Sequence, residues 1–186
     1  MLYPKRAIWA GLPTSSPALN TMVIWCDSIP LTMLTERCGL KERVLYHQAD
    51  ALNLPFADAS FTLAWTQHVA MNIADRTRFY AEAHRVLKPG GRLAVYDVIS
   101  GDGRPLIFPV PWAQGAEMSF LLTGDAMRKV LENTGFLEVL WTDKTEPAIN
   151  WFAEVEASLS PSSPLSITVV MGPQFLEMAK NLAQNL

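Results

Sequence analysis

From Leu31 onward, apolar and polar positions fall into blocks whose spacing switches between helix and strand periods. ADRTRFYAEAHRVL carries Phe79, Ala83, Val86 and Leu87 at helical spacing with charges between them, which predicts a helix with one apolar stripe. FTLAWT, Phe61–Thr66, is short, apolar and aromatic, and predicts a buried strand. Val44–His47 and Arg92–Ile99 are candidate strands before and after it. Leu93, Val95 and Val98 of the later one suit a largely buried position. LTMLTERCGL reads as the end of a helix that Gly39 stops. TGDAMRKVLENTGF opens on Thr123 as N-cap and closes at Gly135, and Phe136–Trp141 follows as a further strand. AINWFAEVEASL is a short amphipathic helix, SPSSP a linker, and PQFLEMAKNLAQNL a terminal helix with Pro173 at its start.

Two loops separate these blocks. QADALNLPFADAS is rich in turn formers, and GDGRPLIFPVPWAQGAEMSF carries three prolines at a length typical of lids and binding loops. Strands alternating with helices imply an α/β fold with a parallel sheet. Residues 1–31 break the pattern. Pro4, Pro13, Pro17 and Pro30 punctuate them, and Trp9 and Trp25 follow neither period. Met22–Cys26 is the candidate buried strand there.

At 186 residues the chain is long enough for one sizeable core. Hydrophobic residues at 49% and charged residues at 18% exclude a disordered chain. A net charge of −3 gives no bulk electrostatic case for nucleic acid or an anionic membrane. Cys26 and Cys38 are too few for a disulfide framework and lack metal-ligand spacing, so they read as reduced thiols. No apolar run approaches the roughly 20 residues of a membrane helix, and MLYPKRAIWAGLPTSSPALN lacks the core of a signal peptide. The expected compartment is the cytoplasm.

Open α/β sheets bind ligands outside the carboxyl ends of their strands. The informative residues are therefore Asp50 and Ala51, then Gln67 and His68, then Asp97 onward. A carboxylate at Asp50 can accept from an exocyclic amine while the next backbone N–H donates to a ring nitrogen, or Asp50 can simply initiate a turn. His68 can take a proton near neutral pH, or serve as a hydrogen-bonded structural histidine. Trp112 can stack on a substrate or pack the long loop onto the body. The three histidines are too dispersed for a metal site. Neither a Gly-x-Ser-x-Gly elbow nor a Gly-x-x-x-x-Gly-Lys phosphate loop is present.

Taken in order, QADALNLPFADASF (48–61), WTQHVAMNI (65–73) and RVLKPGGRLAVYDV (85–98) resemble the class I S-adenosylmethionine-dependent methyltransferases. The nearer resemblance is to the type 11 branch, with ubiquinone/menaquinone-biosynthesis, sterol and glycine/sarcosine-type small-molecule enzymes. FPVPWA and FLLTGDAMRKVLENTGF resemble that branch too, so the similarity covers about residues 32–186.

The resemblance implies a Rossmann-like methyltransferase sheet, mostly parallel, with an aberrant N-terminal part and the final strand missing. It divides the chain into an atypical segment, 1–31, and a methyltransferase-like domain, 32–186. It implies S-adenosylmethionine as cofactor, with Asp50 and Ala51 on the adenine and Leu52 alongside. Gln67 and His68 would line the methionine part and the substrate side. Asp27 in VIWCDSIP is the candidate for the acid that binds the ribose hydroxyls, though it stands closer to Asp50 than the usual intervening helix allows. His68 is the candidate base, Phe108 and Trp112 the candidate substrate walls, and the acceptor a small-molecule N, O or C nucleophile. Partners beyond that acceptor are neither nucleic acid nor membrane.

Two departures matter. The usual Phe-Asp opening of the fourth strand is Phe61-Thr62 here, and the glycine-rich loop expected after the first strand has no counterpart, because residues 1–31 contain only Gly11. The abrupt onset of resemblance near Leu31 motivates the hypothesis that the leading segment is a shifted reading frame or a replaced exon. Reading the coding DNA in the other two frames tests it: if neither encodes a glycine-rich strand–loop–helix, the hypothesis fails. A sheet lacking its last strand would expose an edge that favours a homodimer. The competing function is a truncated or degenerate, non-catalytic methyltransferase-like protein with impaired cofactor binding. A nicotinamide-dependent dehydrogenase would need a Gly-x-Gly-x-x-Gly, which does not occur.

Overall fold

The computed structural model describes residues 6–11, 21–25, 33, 36–40, 44–101, 104–158, 172 and 174–185. Two units make up the chain: Met1–Ser100 with Leu121–Leu137, and Gly101–Phe120 with Glu138–Leu186.

In the first unit, β1 (Arg6–Gly11), β2 (Thr21–Trp25), β3 (Leu45–Asp50), β4 (Phe61–Gln67) and β5 (Leu87–Tyr96) form one sheet in the order β3-β1-β2-β4-β5. β2 is parallel to β4 and β4 to β5, whereas β1 is antiparallel to both its neighbours. β3, β2, β4 and β5 therefore point the same way and β1 alone is reversed. The mostly parallel, Rossmann-like sheet with an aberrant N-terminal part is what the sequence predicts. β2 covers all but the last residue of the strand expected at Met22–Cys26, and Gly39 adopts φ +69 with its N–H on the Glu36 carbonyl at 3.0 Å, ending a helical turn as expected.

Helix α1 (Arg76–Val86) starts at Asp75, whose Oδ1 accepts the Arg78 N–H at 2.9 Å. Its buried stripe contains the expected Phe79, Ala83 and Val86, and adds Arg76 and Tyr80. Pro89 cannot continue a helix and pushes the residue before it into extended backbone, so the chain enters β5 directly at Leu87. There Phe61 faces Leu87 and Leu63 faces Arg92, so Lys88–Gly91 bulge out opposite Thr62 alone. Gly90, at φ +76, supplies the left-handed step of that bulge.

Several predicted boundaries move. β3 runs on to Asp50, three residues past His47. β5 begins before Arg92 and stops at Tyr96 instead of Ile99, because Asp97 turns out of the ladder to serve the neighbouring loop. Leu93, Val95 and Val98 are half-buried, as suits a strand at the end of the sheet order. β4 buries Phe61, Ala64 and Thr66 but exposes Thr62, Trp65 and Gln67, so it is covered on one face rather than both.

Helix α2 (Gly124–Asn133) is capped by Thr123, whose Oγ1 accepts from the Ala126 N–H at 3.3 Å. It ends at Gly135, as predicted. There φ is +96 and an added Cβ would lie 2.9 Å from His84 Nε2, so the turn excludes any larger residue. The strand expected over Phe136–Trp141 does not form: residues 136–144 join no ladder among the described residues, and Leu137, Val139 and Leu140 are 88%, 92% and 81% exposed. Apolar text of this kind favours extended backbone, but a strand needs a neighbouring strand's ladder, and residues 136–144 pair with none among the described residues.

The second unit contains the loop 101–120, α3 (Thr145–Ser158) and α4 (Phe175–Asn185). Val110, Ala113, Phe175, Met178 and Leu182 are buried there. Asn185 clasps Ile107, accepting its N–H at 2.9 Å and donating to its carbonyl at 3.0 Å, and Asn181 donates to the Pro109 carbonyl at 2.9 Å. SPSSP and Pro173 lie outside the described residues.

Candidate functional site

The carboxyl ends of β3, β4 and β5 share one edge of the sheet. Asp50 closes β3 and is exposed. Its Oδ1 accepts the Leu52 N–H at 2.9 Å, and its carbonyl accepts the Asn53 N–H at 3.0 Å. The carboxylate thus initiates a turn, one of the two roles the sequence allows, and this fixes its orientation at the edge. Ala51 is buried and Leu52 half-buried.

The loop after Asp50 is held by one face of α1. Arg78 Nε donates to the Leu52 carbonyl at 2.8 Å, and Glu82 Oε2 accepts the Leu54 N–H at 2.8 Å. Arg85 donates to the carbonyls of Phe56 at 2.7 Å and Leu54 at 3.0 Å, and pairs with Asp58 and Glu82 at 2.8 and 2.9 Å. The Arg85 hydrogen bond holds the Glu82 carboxyl below its usual range, and the two carboxylates raise the Arg85 guanidinium. Residues 78, 82 and 85 are spaced to fall on one side of a helix, so ALNLPFAD and RxxxExxR are two halves of one clamp.

At the end of β4, Gln67 is exposed and His68 turns the chain with φ +54, a conformation unfavourable for a non-glycine residue. Its N–H donates to the Tyr96 carbonyl at 2.9 Å, and its ring lies 5.0 Å from that of Tyr96. Partial burial lowers the imidazole's pKa below the usual 6.5, which keeps it neutral at pH 7.

Beneath this turn sits a polar cluster. Asp97 Oδ1 accepts the Val69 N–H at 3.1 Å, while Oδ2 is buried and meets no donor among the described residues. Burial pushes the Asp97 carboxyl up to about 6, against the opposing pull of Arg76 and of the backbone N–H groups of Val69, Ala70 and His68. Arg76 is 6% exposed and lies beside Tyr80, and burial pushes the Tyr80 hydroxyl up to about 12. An isolated buried guanidinium would be costly, and Asp97 supplies the compensating charge.

Gln67 and His68 are therefore brought next to Tyr96 and Asp97. Asp50 lies three strand spacings away, across β1 and β2, roughly 14 Å at about 4.8 Å per spacing. Gly11 pairs with Leu45 at the opposite edge of the sheet from Asp50, which pairs with Arg6. Asp27 lies outside the described residues. Phe108 and Trp112 belong to the second unit, where both are half-buried and the Trp112 indole N–H donates to Ser119 Oγ at 3.0 Å. Among the described residues no group of three or more His, Cys, Asp or Glu is placed to hold a metal, and no helix is long and apolar enough to cross a membrane.

Sequence reasoning passed over Arg76, Tyr80, Arg78, Glu82 and Arg85, and noted Asp97 only by position. An arginine three residues before Phe79, on the apolar side of a helix, was the readable signal for a buried ion pair.

Residues 19–95 match the family model described as a methyltransferase domain. The dimethylglycine N-methyltransferase of Parasynechococcus marenigrum (strain WH8102) is 28% identical over 167 residues, covering 84% of this chain and 58% of that protein. The 27-O-demethylrifamycin SV methyltransferase of Amycolatopsis mediterranei (strain S699) is 29% identical over 144 residues, 77% of this chain and 46% of that one. The chain thus spans about half the length of these relatives. A Galdieria sulphuraria structure described as a sarcosine dimethylglycine methyltransferase shares the fold with a TM-score of 0.67 at 18% identity, over 82% of this chain and 58% of its own. By fold this chain is similar to solved methyltransferases, and residues 19–95 match the methyltransferase domain of the class I S-adenosylmethionine-dependent enzymes.

Proposed function

We propose that this protein transfers a methyl group from S-adenosylmethionine to an N, O or C nucleophile on a small molecule. The observation that carries this reading is the placement of an exposed, oriented carboxylate (Asp50) and a neutral histidine (His68) at the carboxyl ends of two co-directional strands of one sheet. Asp50 and the Ala51 backbone suit the hydrogen-bonding edge of adenine, with Leu52 beside it, and Gln67 and His68 suit the other end of an extended ligand. When bound, S-adenosylmethionine supplies an electrophilic methyl group. His68 accepts the nucleophile's proton on an unprotonated ring nitrogen, and the rigid turn around it fixes that nitrogen relative to the sheet. Asp27 is proposed for the ribose hydroxyls, and Phe108 and Trp112 for the walls that contact the acceptor. The reversed direction of β1 supports setting residues 1–31 apart from the domain at 32–186, although β2 pairs in parallel with β4. The exposed run at Leu137, Val139 and Leu140 supports self-association.

Titration calorimetry with S-adenosylmethionine tests the reading. Wild-type protein binds at micromolar concentration, D50A weakens binding about tenfold, equivalent to about 1.4 kcal/mol, and H68A lowers turnover with affinity nearly intact. Absence of binding at millimolar cofactor overturns it.

One observation favours a second reading, a non-catalytic methyltransferase-like protein. Gly11, the one glycine of residues 1–31, lies at the sheet edge opposite Asp50, where it cannot cradle a ligand held by that residue. The same titration separates the two.

A further inference from the structure

We infer that Asp97 is a positioning residue that latches the His68 turn and so aims the imidazole over the end of β5. The inference rests on the proposed role of His68, but its geometry stands independently. His68 is held at φ +54, and something must offset the strain. Two attachments do so, both from the end of β5. The Tyr96 carbonyl accepts the His68 N–H at 2.9 Å, and Asp97 Oδ1 accepts the Val69 N–H at 3.1 Å. The next residues, Ala70–Asn72, form a 3-10 turn with Ala70 and Met71 buried, so the loop is fixed on its far side as well. The His68 ring, tilted at 56° to Tyr96, has its direction set by this frame.

A latch of this kind holds on any acceptor at that position and tightest on a charged one, because hydrogen bonds to a carboxylate are roughly twice as strong as neutral ones. The groups facing Asp97 are Arg76 and Tyr80 from α1, and the backbone N–H groups of His68, Val69 and Ala70 from the loop after β4. Arg76 and the N–H groups favour the carboxylate, while burial and Tyr80 do not assist it. Below pH 6 the carboxyl takes up a proton and the latch loosens without any change in Tyr96.

Amide hydrogen exchange, with correction for intrinsic rates, tests the proposal on the full chain without requiring activity. Exchange at Val69 should accelerate more than tenfold in D97A and return to within a fewfold of wild type in D97N. In wild type the protection of Val69 should drop severalfold between pH 7 and pH 5, and in D97N it should stay flat. Placing D97A in an H68G background should shrink its effect, because glycine adopts positive φ without strain. The imidazole of His68, followed by NMR, should titrate nearer 6.5 in D97A than in wild type. Equal Val69 exchange in D97A and wild type overturns the latch, as does an undiminished effect of D97A beside H68G. If wild type fails to bind S-adenosylmethionine while these exchange results hold, the methyltransferase reading fails and the latch remains.

Discussion

β4 and the segment 136–141 start from similar material and end in different states. FTLAWTQ and FLEVLW both interleave aromatic and branched residues with polar ones. β4 is paired along both edges, by β2 and by β5, and buries Phe61, Ala64 and Thr66. Residues 137–140 have no ladder among the described residues and expose every side chain. Strand-forming text is permission to extend, and neighbours decide whether extended chain becomes sheet.

The sharpest break in that contrast comes at Ala64, which is fully buried in the middle of β4. Ala64→Asp places an unpaired carboxylate where neither water nor a cation can reach it. A loss of about 4 kcal/mol or more is expected, enough to unfold a domain of ordinary stability. Urea denaturation followed by far-UV circular dichroism measures it, and a native-like midpoint would show that β4 is not the centre of the core.

The next effect concerns the clamp that leads into β4. Arg85→Ala removes donors from the Leu54 and Phe56 carbonyls and leaves Glu82 without its main counter-charge. A cost of about 2 kcal/mol is expected, together with faster proteolysis within residues 52–58. Equal cleavage rates in the variant and wild type would mean that this loop is held by its own turns.

A pH-dependent effect comes from Asp97. Its folded pKa, about 6, is raised from 3.8, so the folded state binds the proton more tightly than the unfolded one. The stabilisation that results is fully present below about pH 3.8 and is lost as pH rises through 6, with an upper limit of about 3 kcal/mol. His68 acts with the opposite sign: its pKa is lowered, so its contribution is present above 6.5 and is lost as pH falls. D97N should therefore gain global stability over wild type at pH 7 and not at pH 4, even as the Val69 amide becomes less protected. Urea midpoints at the two pH values check this, and an equal difference at both removes Asp97 as the source.

Much of this was legible in the sequence, for physical reasons that can be named. Thr123, Gly135, Gly39 and the stripe of α1 announce themselves through local rules, in which the responsible side chain lies within four residues of what it satisfies. The placement of Gln67 and His68 at a strand end was readable for the same reason. Arg85 with the 54–58 loop, and Asp97 with Val69, are partners 27 to 31 residues apart, and no local pattern joins them. The edge of the sheet at which Gly11 falls depends on the reversal of β1, which no local signal in residues 1–31 encodes.

The smallest expected effect on stability lies at Val139, and it separates two properties that β4 combines. At 92% exposure, Val139 contacts water in folded and unfolded states alike, so Val139→Asp should change the folding free energy by no more than about 0.5 kcal/mol. Its effect on association should be larger, because an exposed apolar extended run is a template for pairing with another chain and a charge at its centre blocks that pairing. Sedimentation velocity of wild type and V139D across a concentration series reads this directly. Wild type should show concentration-dependent self-association that V139D reduces, with coincident urea curves. If V139D destabilises the monomer by as much as Arg85→Ala does, the Val139 side chain does not stand in water, and the contrast with β4 collapses.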